Sequence, residues 1–466
     1  MSTEHNARRK LGAGSLFFFV VAAAAPLTTM AAFAPLAFLL GGVVTPLGFA
    51  IAGLVYLLFA AGFLALVRHH PQGGAFYSYI SLGLGQHIGV GAAMVAYVAY
   101  ALGQIGFCAV AGVFTHEALL AVTGVDVSWG ACAATMALIA GGLAYCRIEL
   151  NALVMGVLII AEIGILALFS GVVLLQGGAE GIDVHSFDPV ALLKPGVGSL
   201  LVVSFLVFIG FEQTALYSDE AKDPKRTVSR ATYMAICFLT LFYLLTSWSI
   251  YLAIGPSAFE SALQGDTANL VFELAARYLG GFASSVMLVL VVTSFFAGVL
   301  AFHNASARYL LTIAEDGMLH RSFASRNRFG MPKVSGIFQA LLVTAVIIIS
   351  VIAEIDPYRQ LIVWTNTPTV IGILLLQVIT SFSVIRYFAT QPTAENLWRR
   401  LIAPASAALV LSAVLYLLLR DLPHLTKLGP AQNLMIASSV VIAFAAGFLR
   451  SLMARAPQGS KSSSFI

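Results

Sequence analysis

Charge is the scarcest feature of this chain. Lys, Arg, Asp and Glu make up only 10% of its 466 residues, against roughly 25% in soluble domains. Hydrophobic residues reach 59% and the mean hydropathy is +0.93. Such a chain has too little polar surface to cover itself in water, so it reads as a polytopic membrane protein. Cysteine is also sparse. Cys108, Cys132, Cys146 and Cys237 all fall in apolar runs without metal-ligand spacing, and read as small apolar fillers. No G-x-x-x-x-G-K-[ST] segment occurs, which disfavours an ATP-driven pump. No H-E-x-x-H or paired Asp/His set lies in the apolar runs, which disfavours a membrane enzyme. No carbonyl-filter sequence or charged ring suggests a channel. No metal or cofactor is expected, and no separate soluble domain is visible.

What is present is long apolar runs. Twelve span-length segments are expected at 16–40, 43–67, 87–115, 128–146, 150–175, 198–219, 231–254, 281–311, 334–353, 358–387, 400–420 and 432–450. Runs of about 20 apolar residues are helical spans, because a membrane barrel would show shorter alternating segments. The first run is too long for the h-region of a signal peptide and reads as a retained span. With the N-terminus inside, only Lys194, Arg277, Arg359, Arg420 and Lys427 of the 25 basic residues fall outside. That four-to-one bias places both termini in the cytoplasm of a cell (inner) membrane protein. The basic residues thus report topology, and nucleic acid is not an expected partner.

Two spans carry interruptions. The first reads "FFFVVAAAAPLTTMAAFAPLAFLL", with Pro26 in its middle. Proline removes a backbone donor and clashes with the preceding turn, and Thr28 and Thr29 can re-satisfy the freed groups. The sixth has Gly210 in its middle, then Glu212 and Gln213. The two spans are five apart and so run in opposite directions. Paired breaks of this kind point to an inverted-repeat transporter whose substrate lies between two discontinuous helices.

The segment "FIGFEQTALYSDEAKDPKRTVSRA" resembles the end of the sixth helix and the following loop in the amino acid–polyamine–organocation superfamily. "HPQGGAFYSYI" resembles that family's loop between helices two and three, and "FHNASARYLLTIAEDGML" its eighth helix and exit. The resemblance implies an all-α polytopic fold of twelve transmembrane helices: a LeuT-like 5+5 inverted repeat plus two extra helices. One transport domain over 1–455 would hold repeat one at about 12–176, repeat two at about 196–388 and the extra helices at about 398–452. A short cytoplasmic tail would follow at 456–466. The family's amino acid carriers usually have a Gly-Ser/Ala-Gly break in helix one, where this chain has "AAAPLTTM". Putrescine importers of the superfamily also carry a proline-type break there.

The implied function is a secondary permease for an amino acid or related amine, acting by symport with a proton. A putrescine, polyamine or other organic-amine importer or exchanger is the alternative. Expected partners are the small amine-bearing substrate, the proton and membrane lipid, with a monomer or homodimer as the assembly. The expected substrate site holds Ala25, Pro26, Leu27, Thr28, Tyr100, Gln104, Phe208, Ile209, Gly210, Phe211 and Glu212. Glu212 lies about 21 Å along its span, at 1.5 Å per residue. It either binds an ammonium or proton, or caps unwound backbone; intramembrane acids are functional by default. In related arginine–agmatine exchangers a glutamate at the matching position is thought to sense protons. Glu162, near the middle of span five, stands where a proton-coupled relative has a lysine in place of sodium. It is expected to carry protons with Glu212, or to serve as a structural partner for helix-one amides or for Thr293 and Ser294 of span eight. Phe208 and Trp364 are gate candidates. His303 reads as snorkelling to the cytoplasmic interface or relaying protons. The segment "SDEAKDPKRTVSR" reads as inner-gate ion pairing, with Pro224 stopping helix six.

Overall fold

The computed structural model describes residues 11–71, 75–146, 148–193, 197–265, 267, 269–391 and 394–453. The expected tail at 456–466 lies outside the described residues. Among the described residues all regular structure is helical, with only two isolated bridges. Among the described residues, ten helical stretches are long and apolar enough to cross a membrane. One of them, Ala13–His69, contains the first two expected spans, and the shorter apolar helix Trp129–Tyr145 matches the fourth. Every one of the twelve expected spans is therefore helical. Helices overrun the expected ends where amphipathic turns continue beyond the apolar stretch, as in span three, Gln86–Thr123, and span eight, Gly281–Glu315. Pro224 opens helix seven, Pro224–Ile254, instead of stopping helix six. Its missing N–H costs nothing at a first-turn position, and the Asp223 side chain caps the Arg226 amide at 3.4 Å.

Span one breaks one residue earlier than its proline suggests. The helix Ala13–Ala24 ends at Ala25, which takes a left-handed conformation with φ 44°. Pro26 then starts a new turn, Pro26–Thr28, followed by a π-turn at Thr29–Phe33 and the helix Ala34–Gly41. Proline disfavours the α conformation in the residue before it, so the discontinuity falls on Ala25. Pro26, Leu27 and Thr28 are helical, so the interruption expected around Pro26 is confined to Ala25. Span six is α-helical over Val197–Leu206, turns, and resumes as a 3-10 helix over Phe211–Tyr217. Gly210 bridges the two halves at φ 118°, a region open only to glycine at low cost.

The two breaks touch. A Cβ added at Gly210 would lie 2.6 Å from the Cβ of Ala23. Span one also packs on spans five, seven and eight, and span three on spans four, eight, ten and twelve. The broken helices thus sit inside a ring of intact ones. Gly210→Ala combines backbone strain of about 1–3 kcal/mol with that contact. It is expected to lower the melting temperature of the purified protein and to abolish uptake. Gly142→Ala, which meets nothing within 4 Å, is expected to leave the melting temperature unchanged or raise it. Equal melting of the two variants would contradict the assigned conformation at Gly210.

Candidate functional site

The backbone groups freed at the breaks are met by side chains. At helix one, the Ala24 carbonyl accepts hydrogen bonds from the Thr29 hydroxyl at 2.9 Å and the Tyr243 hydroxyl at 3.1 Å. The Thr28 amide donates to Ser294 Oγ of span eight at 3.2 Å. At helix six, the Gly210 amide donates to both carboxylate oxygens of Glu212, at 3.2 and 3.1 Å. Tyr100 of span three donates its hydroxyl to Glu212 Oε1 at 2.6 Å, and its ring stacks on Tyr309 of span eight. Tyr56 supports the upper half of helix six by donating to the Phe205 carbonyl at 3.1 Å.

Between the breaks lies a narrow cavity of about 30 Å³, lined by Ala23, Ala24, Thr29, Phe33, Phe107, Leu206, Val207, Ile209, Phe302, Asn366 and Thr369. That is room for one water. It continues into a vestibule of about 480 Å³ that shares Phe33, Phe107, Leu206 and Asn366 with it. The vestibule rises past Leu39, Thr267, Tyr358 and Lys427, so it opens on the face opposite Leu11 and Met453. The face that carries Leu11 is shut. There Arg308, 5% exposed, pairs with Glu220 at 3.0 Å and lies 4.5 Å over the Tyr217 ring, which stacks on Phe19. Leu11 adds a bridge to the exit of helix six: its amide donates to the Glu220 carbonyl and its carbonyl accepts from the Lys222 amide. Tyr77 donates to Asp316 beside this closure.

The expected site residues divide. Ile209 lines the cavity, and Gly210, Glu212 and Tyr100 form the bonded group beneath it. Ala25, Pro26, Leu27 and Thr28 are buried at the break, but Ala23, Ala24 and Thr29 supply the wall. Phe208 packs between Tyr56 and Tyr243, and Phe211 against Tyr56 and Phe59. Neither they nor Trp364 are among the residues lining the cavity or vestibule. Gln104 and Tyr100 share a helix face but part company at their tips. Gln104 meets His303 Nδ1 at 3.2 Å and accepts from Gln339 of span nine at 2.9 Å. This corrects the snorkelling reading of His303, which is fully buried; a buried histidine needs polar partners, and Gln104 supplies one.

Glu162 is fully buried, and neither carboxylate oxygen makes a hydrogen bond of good geometry. The Leu27 amide and the Ser294 hydroxyl are its near polar neighbours. Thr293 turns its hydroxyl back to the Leu290 carbonyl of its own helix, leaving Ser294 alone to reach helix one.

Sequence reasoning missed six residues. Arg308 was counted as a topology marker, although it stands inside the expected bounds of span eight. Tyr243 and Gln339 are isolated polar groups in apolar spans, a signal too common to single out. Phe107 and Phe302 cannot be told from packing aromatics without coordinates. Asn366 was visible as a polar residue in "VWTNTPTV", beside the tryptophan that drew attention instead.

Comparison with known proteins agrees with this architecture. A solved structure of a Na+-coupled sialic acid symporter, substrate-bound and outward-open, superposes with a TM-score of 0.58 over 97% of this chain and 93% of that one, at 13% identity. The likeness is one of fold, the LeuT-like fold. Among curated proteins, an uncharacterised transporter of Legionella pneumophila is 28% identical over 34% of this chain and 33% of its own length. The lysine-specific permease LysP of Escherichia coli is 30% identical over 32% and 30%. The aromatic amino acid transport protein AroP of Escherichia coli is 25% identical over 39% and 38%. The chain thus matches about a third of the length of these curated relatives. The amino acid permease family model, in contrast, matches residues 11–446. With nearly every span inside that match, the resemblance read from helix six, the loop between helices two and three, and helix eight holds, and the chain belongs to the amino acid permease family of the amino acid–polyamine–organocation superfamily.

Proposed function

We propose that this protein is a secondary active transporter that moves an amino acid across the cell membrane by proton symport, with both termini in the cytoplasm. The observation that carries the reading is the gap between the two helix breaks, open through a vestibule on one face and closed by Arg308 and Glu220 on the other. That asymmetry is what alternating access requires of one of its end states. In this reading the structure faces outward. An amino acid enters from the vestibule, and its ammonium and carboxylate groups exchange with the hydroxyl and carboxylate caps on Ala24, Thr28 and Gly210. Substrate binding then loosens the caps that hold the outward shape. The Arg308–Glu220 pair parts to release substrate inward.

Coupling falls to Glu162 and Glu212. A carboxylate buried in an apolar bundle requires a proton, a cation or hydrogen-bond donors. Glu212 has donors in Tyr100 and Gly210. Glu162 lacks well-formed ones and touches helix one at its break and helix eight at Ser294, so its occupancy reports on the junction that must move.

In proteoliposomes without sodium, an inward proton gradient is expected to drive uptake in the wild type. Glu162→Gln is expected to retain counterflow exchange and lose the gradient response. A strict sodium requirement, or an intact gradient response in Glu162→Gln, would contradict proton coupling through this residue.

The closed face gives a second test. Removing one member of a buried ion pair costs about 3–5 kcal/mol, while removing both costs far less. Arg308→Met is therefore expected to lower the melting temperature of the purified protein. The Arg308→Met/Glu220→Met double variant is expected to recover much of the lost stability. Additive losses in the double variant would contradict the latch.

A further inference from the structure

The chemistry of the cavity wall bears on the cargo's side chain. The inference rests on the transporter reading above and deepens it. Among the described residues, no charged side chain lines the narrow cavity. The nearby acid, Glu212, is engaged by Tyr100 and the Gly210 amide, and Glu162 lies on the far side of helix one, by Leu27 and Ser294. Phe33, Phe107 and Phe302 supply aromatic faces, with Phe107 and Phe302 edge to face at 5.1 Å. Phe107 is seated over Gly298, where a Cβ would come within 2.9 Å of its ring.

The wall's polar groups are Thr29, Thr369 and Asn366. The Thr29 hydroxyl is given to Ala24, and the Thr369 hydroxyl to the Ala99 and Thr365 carbonyls at 2.8 and 2.9 Å. Asn366 differs. Its Oδ1 is buried and has no hydrogen-bond partner, at a position shared by the cavity and the vestibule. The close approach of span ten to Gly106 of span three holds it there: a Cβ at Gly106 would stand 2.9 Å from Asn366 Oδ1. A buried acceptor without a donor is a standing cost. A ligand that brings the donor removes that cost, and one that lacks it does not.

We propose that the side-chain subsite takes an uncharged aromatic side chain bearing a hydrogen-bond donor at its rim, the chemistry of a phenol or an indole. The ring lies in the vestibule, which has the room that the narrow cavity lacks and shares Phe33, Phe107 and Asn366 with it, and the rim donor reaches Asn366 Oδ1. Asn366 is then a specificity-determining residue. A lysine side chain or a diamine would bury an ammonium with no counter-charge in this wall.

Thermal-shift and competition binding on the full-length protein, with tyrosine, tryptophan, phenylalanine, leucine, lysine and putrescine as probes, tests this. Tyrosine and tryptophan are expected to bind about fivefold or more tightly than phenylalanine, the worth of one buried hydrogen bond. Lysine and putrescine are expected to bind least. Asn366→Leu is expected to erase the preference for tyrosine over phenylalanine, and Asn366→Asp to admit lysine. Lysine or putrescine binding best to the wild type would overturn the inference while leaving the transporter reading intact. So would a tyrosine preference unchanged in Asn366→Leu. Should the variants fail to fold, the wild-type ranking decides alone. Binding of none of the six probes would overturn the inference, and absence of uptake of any amino acid would sink the transporter reading itself.

Discussion

Everything in this structure depends on one constraint: a helix broken in the middle of a membrane must have its freed backbone groups satisfied from within the protein. Water is absent there, and each unmet group costs as much as a buried polar atom anywhere. The chain meets the constraint with side chains, some from the broken helices themselves and some from intact neighbours. Tyr243 and Thr29 close on the Ala24 carbonyl, Ser294 on the Thr28 amide, and Glu212 on the Gly210 amide. These bonds tie the helix-one break to spans seven and eight, and Tyr100 ties Glu212 at the helix-six break to span three. The same few contacts that make the breaks possible therefore anchor each break within the bundle.

That solution carries function with it. A bond made by a side chain across helices can be exchanged, whereas a bond inside a continuous helix cannot without unwinding it. A substrate with its own donors and acceptors competes for the capped groups, and the cost of displacing a cap is offset by the new bond. The structure stores one arrangement of these caps together with a closed face at Arg308 and Glu220 and an open vestibule above Asn366. Coupling needs only that the capped set and the closed face belong to the same state.

Much of the fold was legible from composition, because a helix that spans lipid must be apolar for about 20 residues and nothing else in the sequence competes with that signal. The positions of both breaks were legible too, since Pro26 and Gly210 are the residues that tolerate them. The proline drew attention one residue too far, because its effect falls on Ala25 before it. Glu162 and Glu212 stood out as acids in apolar runs. Partners did not. Which of Tyr100 and Gln104 reaches the site depends on helix rotation, and a four-residue spacing on one face cannot separate them once neighbouring helices draw their tips apart. Arg308 was hidden by its charge, which reads as a loop marker until Glu220 and Tyr217 are seen beside it. Aromatics gave the weakest signal of all: Phe208 and Phe107 are alike in sequence, yet one packs on Tyr56 and Tyr243 and the other lines the cavity.

The central claim is that substrate occupies the gap between the two breaks, in exchange for the caps. An experimental structure of the protein with its transported amino acid bound tests this most directly. The account predicts ligand density between Ala23–Thr29 and Leu206–Gly210, with at least one of the bonds to Ala24, Thr28 or Gly210 replaced by a bond to the ligand. Density for the ligand elsewhere, with all the caps intact and the gap unfilled, would contradict it.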